Sequence, residues 1–134
     1  MMMFDMPPAP RIECVGCTPA EMMVTQTLWD RGITDKNAIA VVLGNIKQES
    51  NFKHNICEGG AIVRYDQCLT GGYGLIQWTS QNRYDGLAHF ARAYGGDPNT
   101  FETQLRYMVN EPQWTRFELS LKGRGQTGQY YMNE

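Results

Sequence analysis

The chain has 134 residues, 42% of them hydrophobic, and its 12 Lys and Arg against 14 Asp and Glu give a formal net charge of -2. This length supports one hydrophobic core better than two. The balanced charge and the lack of a basic run argue against a nucleic-acid partner. No stretch approaches the roughly 18 apolar residues that cross a bilayer, so no membrane partner is expected.

Residues 1–17 are predicted to form an irregular arm. Methionines and prolines dominate residues 1–10, which show neither the basic nor the apolar region of a secretion signal, so we expect no signal peptide. A first helix is predicted to follow, with Thr18 as N-cap, Pro19 at the first helical position and Glu21 completing a capping box.

The second predicted helix runs from a cap at Thr34 to about Asn51 and carries the first catalytic candidate. At about 100° per residue, its apolar positions form one arc that also contains Glu49 and Ser50. A carboxylic acid facing the core is costly to ionise, which is the environment that a general acid needs. The alternative is a glutamate turned far enough to reach water. Gly44 inside this helix suggests a close approach of another backbone.

Residues 53–70 lose the helical period, and glycine pairs bracket short β-branched and aromatic runs, which predicts an irregular hairpin or loop excursion. A disulfide between Cys57 and Cys68 would close this loop, contribute about 3 kcal/mol and imply an oxidising destination. Cys14 and Cys17 bring the number of cysteines to four, and zinc ligation or free thiols remain alternatives to disulfides for all of them. Structural zinc pairs usually have about two to four intervening residues, far fewer than separate Cys57 from Cys68, so no metal site is predicted.

Residues 74–78 are predicted to be an extended or tightly turned segment that leads into three further helices. The helix signals place one from Thr79 or Ser80 to Tyr94, one beginning at Asn99 or Thr100, and a short one beginning at Pro112. Residues 122–134 are predicted to be a linker followed by the start of a further element, because an aromatic pair closes a polar, glycine-rich stretch.

Two segments, 44–52 and 72–78, together with the following Arg83, resemble the bacteriophage tail lysozyme family and, more distantly, goose-type lysozymes and soluble lytic transglycosylases. In those families a glutamate followed by serine at the end of a buried helix is the catalytic acid, and a downstream Gly-Leu-x-Gln segment lines the sugar cleft. The matching residues here are Glu49-Ser50 and 74–77. Isoleucine replaces the usual methionine of the second motif, and the later tyrosine motif of the transglycosylases has no clear match.

The resemblance implies a mainly α (α+β), lysozyme-like fold with a small irregular hairpin excursion. The catalytic domain would span residues 18–121, between the arm and the linker. The implied substrate is the glycan strand of peptidoglycan, and no cofactor is expected. Hydrolysis and transglycosylation both stay open, and the missing tyrosine motif counts against transglycosylation more than against glycosidic cleavage itself.

Glycosidases commonly use two carboxyl groups. With Glu49 as the acid, Glu58 and Asp66 in the excursion are the candidates for the second; a separation of about 6.5–9.5 Å from Glu49 would indicate inversion, and one of about 5–5.5 Å retention. If neither approaches, the substrate's own N-acetyl group would take part. Polar, amphipathic or charged side chains suited to sugars are predicted to bind substrate, and core packing or plain solvation are the alternatives for them. These residues are Ser50, Tyr73, Gln77, Trp78, Arg83 and Tyr84.

We therefore expect a peptidoglycan-degrading glycosidase on a phage virion, as a tail or ejected protein that acts in the host periplasm or cell wall beside other virion proteins. The slight negative charge favours tethering, because a free lysin gains on-rate from positive charge. The alternative is a catalytically inactive structural or glycan-binding module of the same shape. A thiol hydrolase is disfavoured, since no nucleophile signature surrounds Cys57 or Cys68.

Overall fold

The computed structural model describes residues 13–69, 71–79 and 81–122. The predicted arm as far as residue 12 and the predicted linker from residue 123 onward lie outside the described residues. Within these ranges the chain forms five α-helices: α1 Pro19–Asp30, α2 Lys36–Ser50, α3 Gln81–Tyr94, α4 Phe101–Met108 and α5 Pro112–Leu121. The predicted mainly helical fold is confirmed.

Local capping explains where the helices begin. In α1 the Thr18 hydroxyl accepts the Glu21 amide at 3.1 Å, and the Glu21 carboxylate accepts the Thr18 amide at 2.9 Å, so the predicted capping box is present. The cap of α2 is Asp35, which accepts the Asn37 amide at 2.8 Å; the prediction of Thr34 was one residue too early. Asp35 satisfies an amide that would otherwise lack a partner within the helix.

One apolar core joins the helices. It takes buried side chains from each of the five α-helices, among them Leu28, Val42, Leu87, Leu105 and Leu121. Helix α1 packs on α2, and α3 packs on α4. Leu75 and Trp78 from the chain between α2 and α3 are completely buried in the same core, so this irregular stretch is anchored in the interior.

The connecting segment, residues 51–69 and 71–79, contains the irregular excursion that was predicted for residues 53–70. Its described residues pair only through isolated antiparallel bridges, Ile56 with Ile62, Cys57 with Tyr73, and Tyr73 with Trp78. A disulfide joins Cys57 to Cys68, with an S–S distance of 2.07 Å. Both cysteines are buried against Tyr73, and together they form a small second apolar cluster.

The N-terminal cysteines, Cys14 and Cys17, also pair with each other. In the described ranges, no three His, Cys, Asp or Glu side chains come together as a metal site would require. No helix among those described combines the length and apolarity needed to span a bilayer.

Candidate active site

A groove of about 400 Å³ opens where the end of α2 meets the connecting segment. Three parts of the chain form its walls: the last turn of α2, residues 56–60 of the excursion, and the segment before α3 that contains Gln77 and Thr79. The lining residues are Glu49, Ile56, Cys57, Glu58, Gly59, Gly60, Gln77 and Thr79. The groove therefore brings together the two sequence segments that carried the predicted chemistry.

Glu49 lies at the wall of this groove and is exposed, so the prediction that it faces the core is wrong. The buried face of α2 consists of Ala38, Ile39, Val42, Ile46 and Ser50. Glu49 stands at the edge of that face, where the groove opens. Its carboxyl group can be reached by a ligand from solvent, which a core-facing carboxyl group could not.

Ser50 links α2 to the turn formed by residues 74–77. Its side chain is only 3% exposed, and its hydroxyl donates to the Leu75 carbonyl at 2.7 Å, with the Ile46 carbonyl at 3.2 Å. A buried hydroxyl that is already bonded cannot contact a ligand in the groove. The predicted substrate contact of Ser50 is therefore wrong, and the residue holds the groove together instead.

Gln77 is the substrate-binding candidate that does line the groove. It has a left-handed backbone with φ of 55°, which is uncommon for a residue other than glycine. Its side-chain amide donates to the Ile56 carbonyl at 3.1 Å and to the Gly74 carbonyl at 2.9 Å. These bonds fix the side chain against Ile56 of the excursion and against Gly74 at the start of its own turn.

Of the two candidates for a second carboxylate, Glu58 lines the groove with Glu49. Glu58 is exposed, and it pairs with Gly72 through two hydrogen bonds. Its amide donates to the Gly72 carbonyl at 2.8 Å, and its carboxylate accepts the Gly72 amide at 3.1 Å. Asp66 is also exposed, lies outside the groove lining, and forms an ion pair with Arg64 at 3.9 Å.

Tyr73 and Trp78 are fully buried, so the prediction that they contact substrate is wrong. The Tyr73 hydroxyl donates to the Val63 carbonyl at 3.0 Å, and the Trp78 indole N–H donates to Glu111 at 2.9 Å. Both side chains fix the connecting segment from within. The core-packing alternative holds for both.

Tyr84 supports the excursion from α3 and does not line the groove. Its ring stacks on Tyr65 with centroids 4.4 Å apart, and its hydroxyl contacts the main-chain carbonyls of Tyr65 and Cys68. Burial raises the pKa of Tyr73 to about 12 and also raises the pKa values of Tyr65 and Tyr84. These three tyrosines are therefore neutral near pH 7.

Arg83 lines a second cavity of about 300 Å³, largely apolar, that follows the same side of α2. Asn45 on its wall is one helical turn before Glu49, and Ile76 immediately precedes Gln77. The Arg83 guanidinium donates twice to Glu111, each time at 2.9 Å, and this pairing raises the pKa of Arg83. Its guanidinium is thus held by the protein at the cavity wall.

Comparison with known proteins identifies the family of the chain. The model of the phage tail lysozyme family matches residues 20–133. The chain belongs to the phage tail lysozyme family. The match includes both Glu49 and Gln77, and the resemblance noted from the sequence is confirmed. No curated protein and no solved structure matches the chain.

Membership of a phage tail lysozyme family indicates lysozyme-like action on peptidoglycan and a place in the phage tail. In this family member, two residues that support the groove escaped the sequence predictions. Gln104 is fully buried in α4, and Glu111 is 3% exposed at the start of α5. Gln104 shares the inward face of α4 with apolar neighbours, and this polar interruption was the available signal. Glu111 gave no comparable signal, because its partner Trp78 is distant in sequence.

Proposed function

We propose that this tail lysozyme cleaves the glycan strand of peptidoglycan with Glu49 as general acid. The observation that carries the proposal is the shared groove, in which an accessible Glu49 at the end of α2 meets the turn that carries Gln77. Neither motif is specific alone. Their meeting in one ligand-accessible cavity supports a glycosidase site.

Glycosidic cleavage needs a proton on the leaving oxygen and stabilisation of positive charge on the sugar. Glu49 donates the proton. A strand bound in the groove covers this carboxyl group and displaces water from it, so that the proton passes directly to the leaving oxygen. The exposure of Glu49 without substrate is compatible with this role, because the substrate itself completes the low-polarity environment.

Glu58 takes the second role in the hydrolytic version of the reaction. The Gly72 amide holds one of its oxygens at 3.1 Å and so restricts the orientation of the carboxyl group. A carboxylate in that position accepts a proton from attacking water or stabilises the sugar cation. If the substrate's N-acetyl group takes this role instead, Glu58 is dispensable; attack by the sugar's own hydroxyl on the anomeric carbon then closes an anhydro-sugar, whereas attack by water gives a hydrated end.

The strand contacts Gln77 and continues along α2. The Gln77 side-chain N–H groups are bonded to main-chain carbonyls, which leaves its amide oxygen to accept a sugar hydroxyl. The second cavity, beside Asn45 and Ile76, extends the path with an apolar wall suited to the C–H faces of sugars. This extension gives the strand a binding surface longer than the groove itself.

The decisive comparison is the rate of muropeptide release from purified peptidoglycan by the native chain, Glu49→Gln and Glu102→Gln. Glu102 is an exposed glutamate in the first turn of α4 and provides the matched control. We expect Glu49→Gln to lose about 100-fold or more, the range for general acid catalysis, and Glu102→Gln to match the native rate. Equal rates for Glu49→Gln and the native chain would eliminate Glu49 as the acid.

The products and a Glu58→Gln variant separate the two chemical outcomes. Hydrolysis with Glu58 gives a hydrated reducing end and a slow Glu58→Gln variant. Participation of the N-acetyl group gives an active Glu58→Gln variant, with a product one water lighter when the sugar's own hydroxyl attacks and a hydrated product when water attacks. Binding of glycan by the native chain without any release would support the catalytically inactive alternative.

We also propose that the enzyme works while tethered to the virion, opening the host wall during entry. The formal charge of -2 gives little attraction to an anionic wall, whereas tethering supplies a high local concentration. Fractionation of a lysate should place the lytic activity on particles. Activity found only in the particle-free fraction would contradict tethering.

A further inference from the structure

We propose that Gln104 is a positioning residue that acts with Ser50 to fix Gln77 relative to Glu49. The inference rests on the proposed function, because it concerns the geometry of that same groove. It begins with Leu75, whose main chain is held at both its amide and its carbonyl. The Gln104 side-chain oxygen accepts the Leu75 amide at 3.0 Å, and the Ser50 hydroxyl donates to the Leu75 carbonyl at 2.7 Å.

The rest of the Gln104 carboxamide ties this turn to two other parts of the chain. Its nitrogen donates to the His54 carbonyl at 2.7 Å and to the Pro98 carbonyl at 2.9 Å. Both side-chain hydrogens and the oxygen are therefore used, and the side chain is 0% exposed. A buried carboxamide tolerates little displacement, because each lost bond leaves an unsatisfied polar group in the interior.

Gly74, the first residue of the turn, packs closely against the Gln104 side chain. Gly74 has φ of 84°, and a Cβ atom at that position would lie 2.5 Å from the Gln104 oxygen. The turn therefore requires both the left-handed backbone and the missing side chain of glycine. Gln77 follows three residues later with its own left-handed φ, so the fixed turn determines where its side chain enters the groove.

These links join all three walls of the groove. Ser50 directly follows Glu49 in α2, Leu75 belongs to the turn that carries Gln77, and His54 precedes the limb that carries Glu58. Gln104 itself does not line the groove, so its role is indirect. We call the bonds of Gln104 and Ser50 to the Leu75 main chain the clamp. Loss of the clamp should shift the walls relative to one another, and a misplacement of about 1 Å can cost about 100-fold in rate.

The test compares kcat and KM of Ser50→Ala, Gln104→Leu and the double variant on soluble glycan strands, at a temperature where circular dichroism shows each to be folded. We expect kcat to fall about 10-fold or more in each single variant. Both changes release the same turn, so the double variant should fall little further than Gln104→Leu. Independent effects that multiply in the double variant would overturn the shared clamp.

Two controls separate positioning from general destabilisation. Thr25→Val removes another buried hydroxyl, which is 2% exposed and donates to the Glu21 carbonyl within α1, far along the chain from the groove residues. It should keep the native kcat, and Ser50→Thr, which retains a hydroxyl, should recover most of the activity lost in Ser50→Ala. A similar loss of kcat in Thr25→Val, or no recovery in Ser50→Thr, would contradict the proposal.

A second measurement is independent of turnover. Hydrogen exchange should accelerate in residues 72–79 of Gln104→Leu and Ser50→Ala and stay native in Thr25→Val. Unchanged exchange in those residues would overturn the clamp. An inactive native chain with accelerated exchange in the variants would instead disprove the proposed function and leave the clamp supported.

Discussion

The helices and the connecting segment are held in place by different kinds of interaction. Each described helix contributes large apolar side chains to the common core. The connecting segment, residues 51–69 and 71–79, relies on isolated bridges, the Cys57–Cys68 disulfide and hydrogen bonds from side chains to main-chain groups. Apolar burial is non-directional and spread over many contacts, whereas each polar link has one geometry.

This difference implies that the groove is less robust than the fold. Small changes in the connecting segment should displace Gln77 and Glu58 while the helices persist, because regions with few apolar contacts open at lower free energy. Among the described residues of the segment, only Leu75 and Trp78 are fully buried in the main core. Interactions that reach these two residues should therefore couple the two regions most strongly.

The largest effect is expected at Glu111, which bonds both Trp78 of the segment and Arg83 of α3. Glu111→Ala should lower the free energy of unfolding by about 3 kcal/mol or more, because it leaves the fully buried Trp78 indole N–H without a partner and breaks the ion pair of Arg83. Urea unfolding followed by circular dichroism measures this loss.

A second tryptophan–glutamate–arginine group provides the matched control. Glu118 accepts the Trp114 indole N–H at 2.8 Å and pairs with Arg31, but its side chain is 14% exposed, against 3% for Glu111. Glu118→Ala should cost less than Glu111→Ala, because the ion pair that is lost is more solvated and because the stranded Trp114 is 6% exposed, whereas Trp78 is 0% exposed. A larger loss for Glu118→Ala would show that the link to the segment is not the stronger one.

The next effect concerns the disulfide of the segment. Replacing Cys57 and Cys68 by alanine should destabilise the groove wall by about 3 kcal/mol and greatly slow muropeptide release, while helical circular dichroism stays near native. Replacing Cys14 and Cys17 should leave the rate unchanged. Loss of helicity together with activity in the first variant would show that the two regions unfold as one.

High pH should weaken both regions through buried tyrosines. Burial raises the pKa of Tyr73 in the segment and of Tyr107 in α4 from 10.0 to about 12. Between these values the unfolded chain releases protons that the folded chain retains, so stability falls as pH rises from 10.0 to about 12 and is unaffected by these groups at lower pH. Urea midpoints measured across this range should decline, and Tyr73→Phe should reduce the decline; a flat profile would contradict the assignment.

The smallest effect is expected in α2 at Gly44. A Cβ atom there would meet open space, so the close backbone approach predicted from the sequence is wrong. Gly44→Ala should stabilise the chain by about 1 kcal/mol, because alanine loses less conformational entropy in a helix. Thermal unfolding and muropeptide release should show a higher Tm with a native rate; a lower rate would mean that α2 must flex for turnover.

Local signals in the sequence were enough to predict most of the helical frame. Thr18 and Thr100 cap their helices through side-chain oxygens, and Pro112 opens α5 as predicted. Such signals work because the partners lie within one helical turn of each other. The shared groove of Glu49 and Gln77 followed from motif resemblance rather than from periodicity.

The polar supports of the groove could not be predicted in the same way. Gln104 bonds His54 and Leu75, and Glu111 bonds Trp78, across long stretches of chain that only tertiary packing brings together. The exposure of Glu49 was missed for a related reason. A helical arc gives the direction of a side chain but does not show where the neighbouring elements end.

The position of a bound glycan strand tests the proposed chemistry most directly. In a crystal structure of the Glu49→Gln variant with a peptidoglycan oligosaccharide, the substituted side chain should lie about 2.6–3.2 Å from a glycosidic oxygen, with the Gln77 amide oxygen bonded to a sugar hydroxyl. A strand bound with no glycosidic oxygen within reach of position 49 would contradict the assignment of Glu49 as the acid.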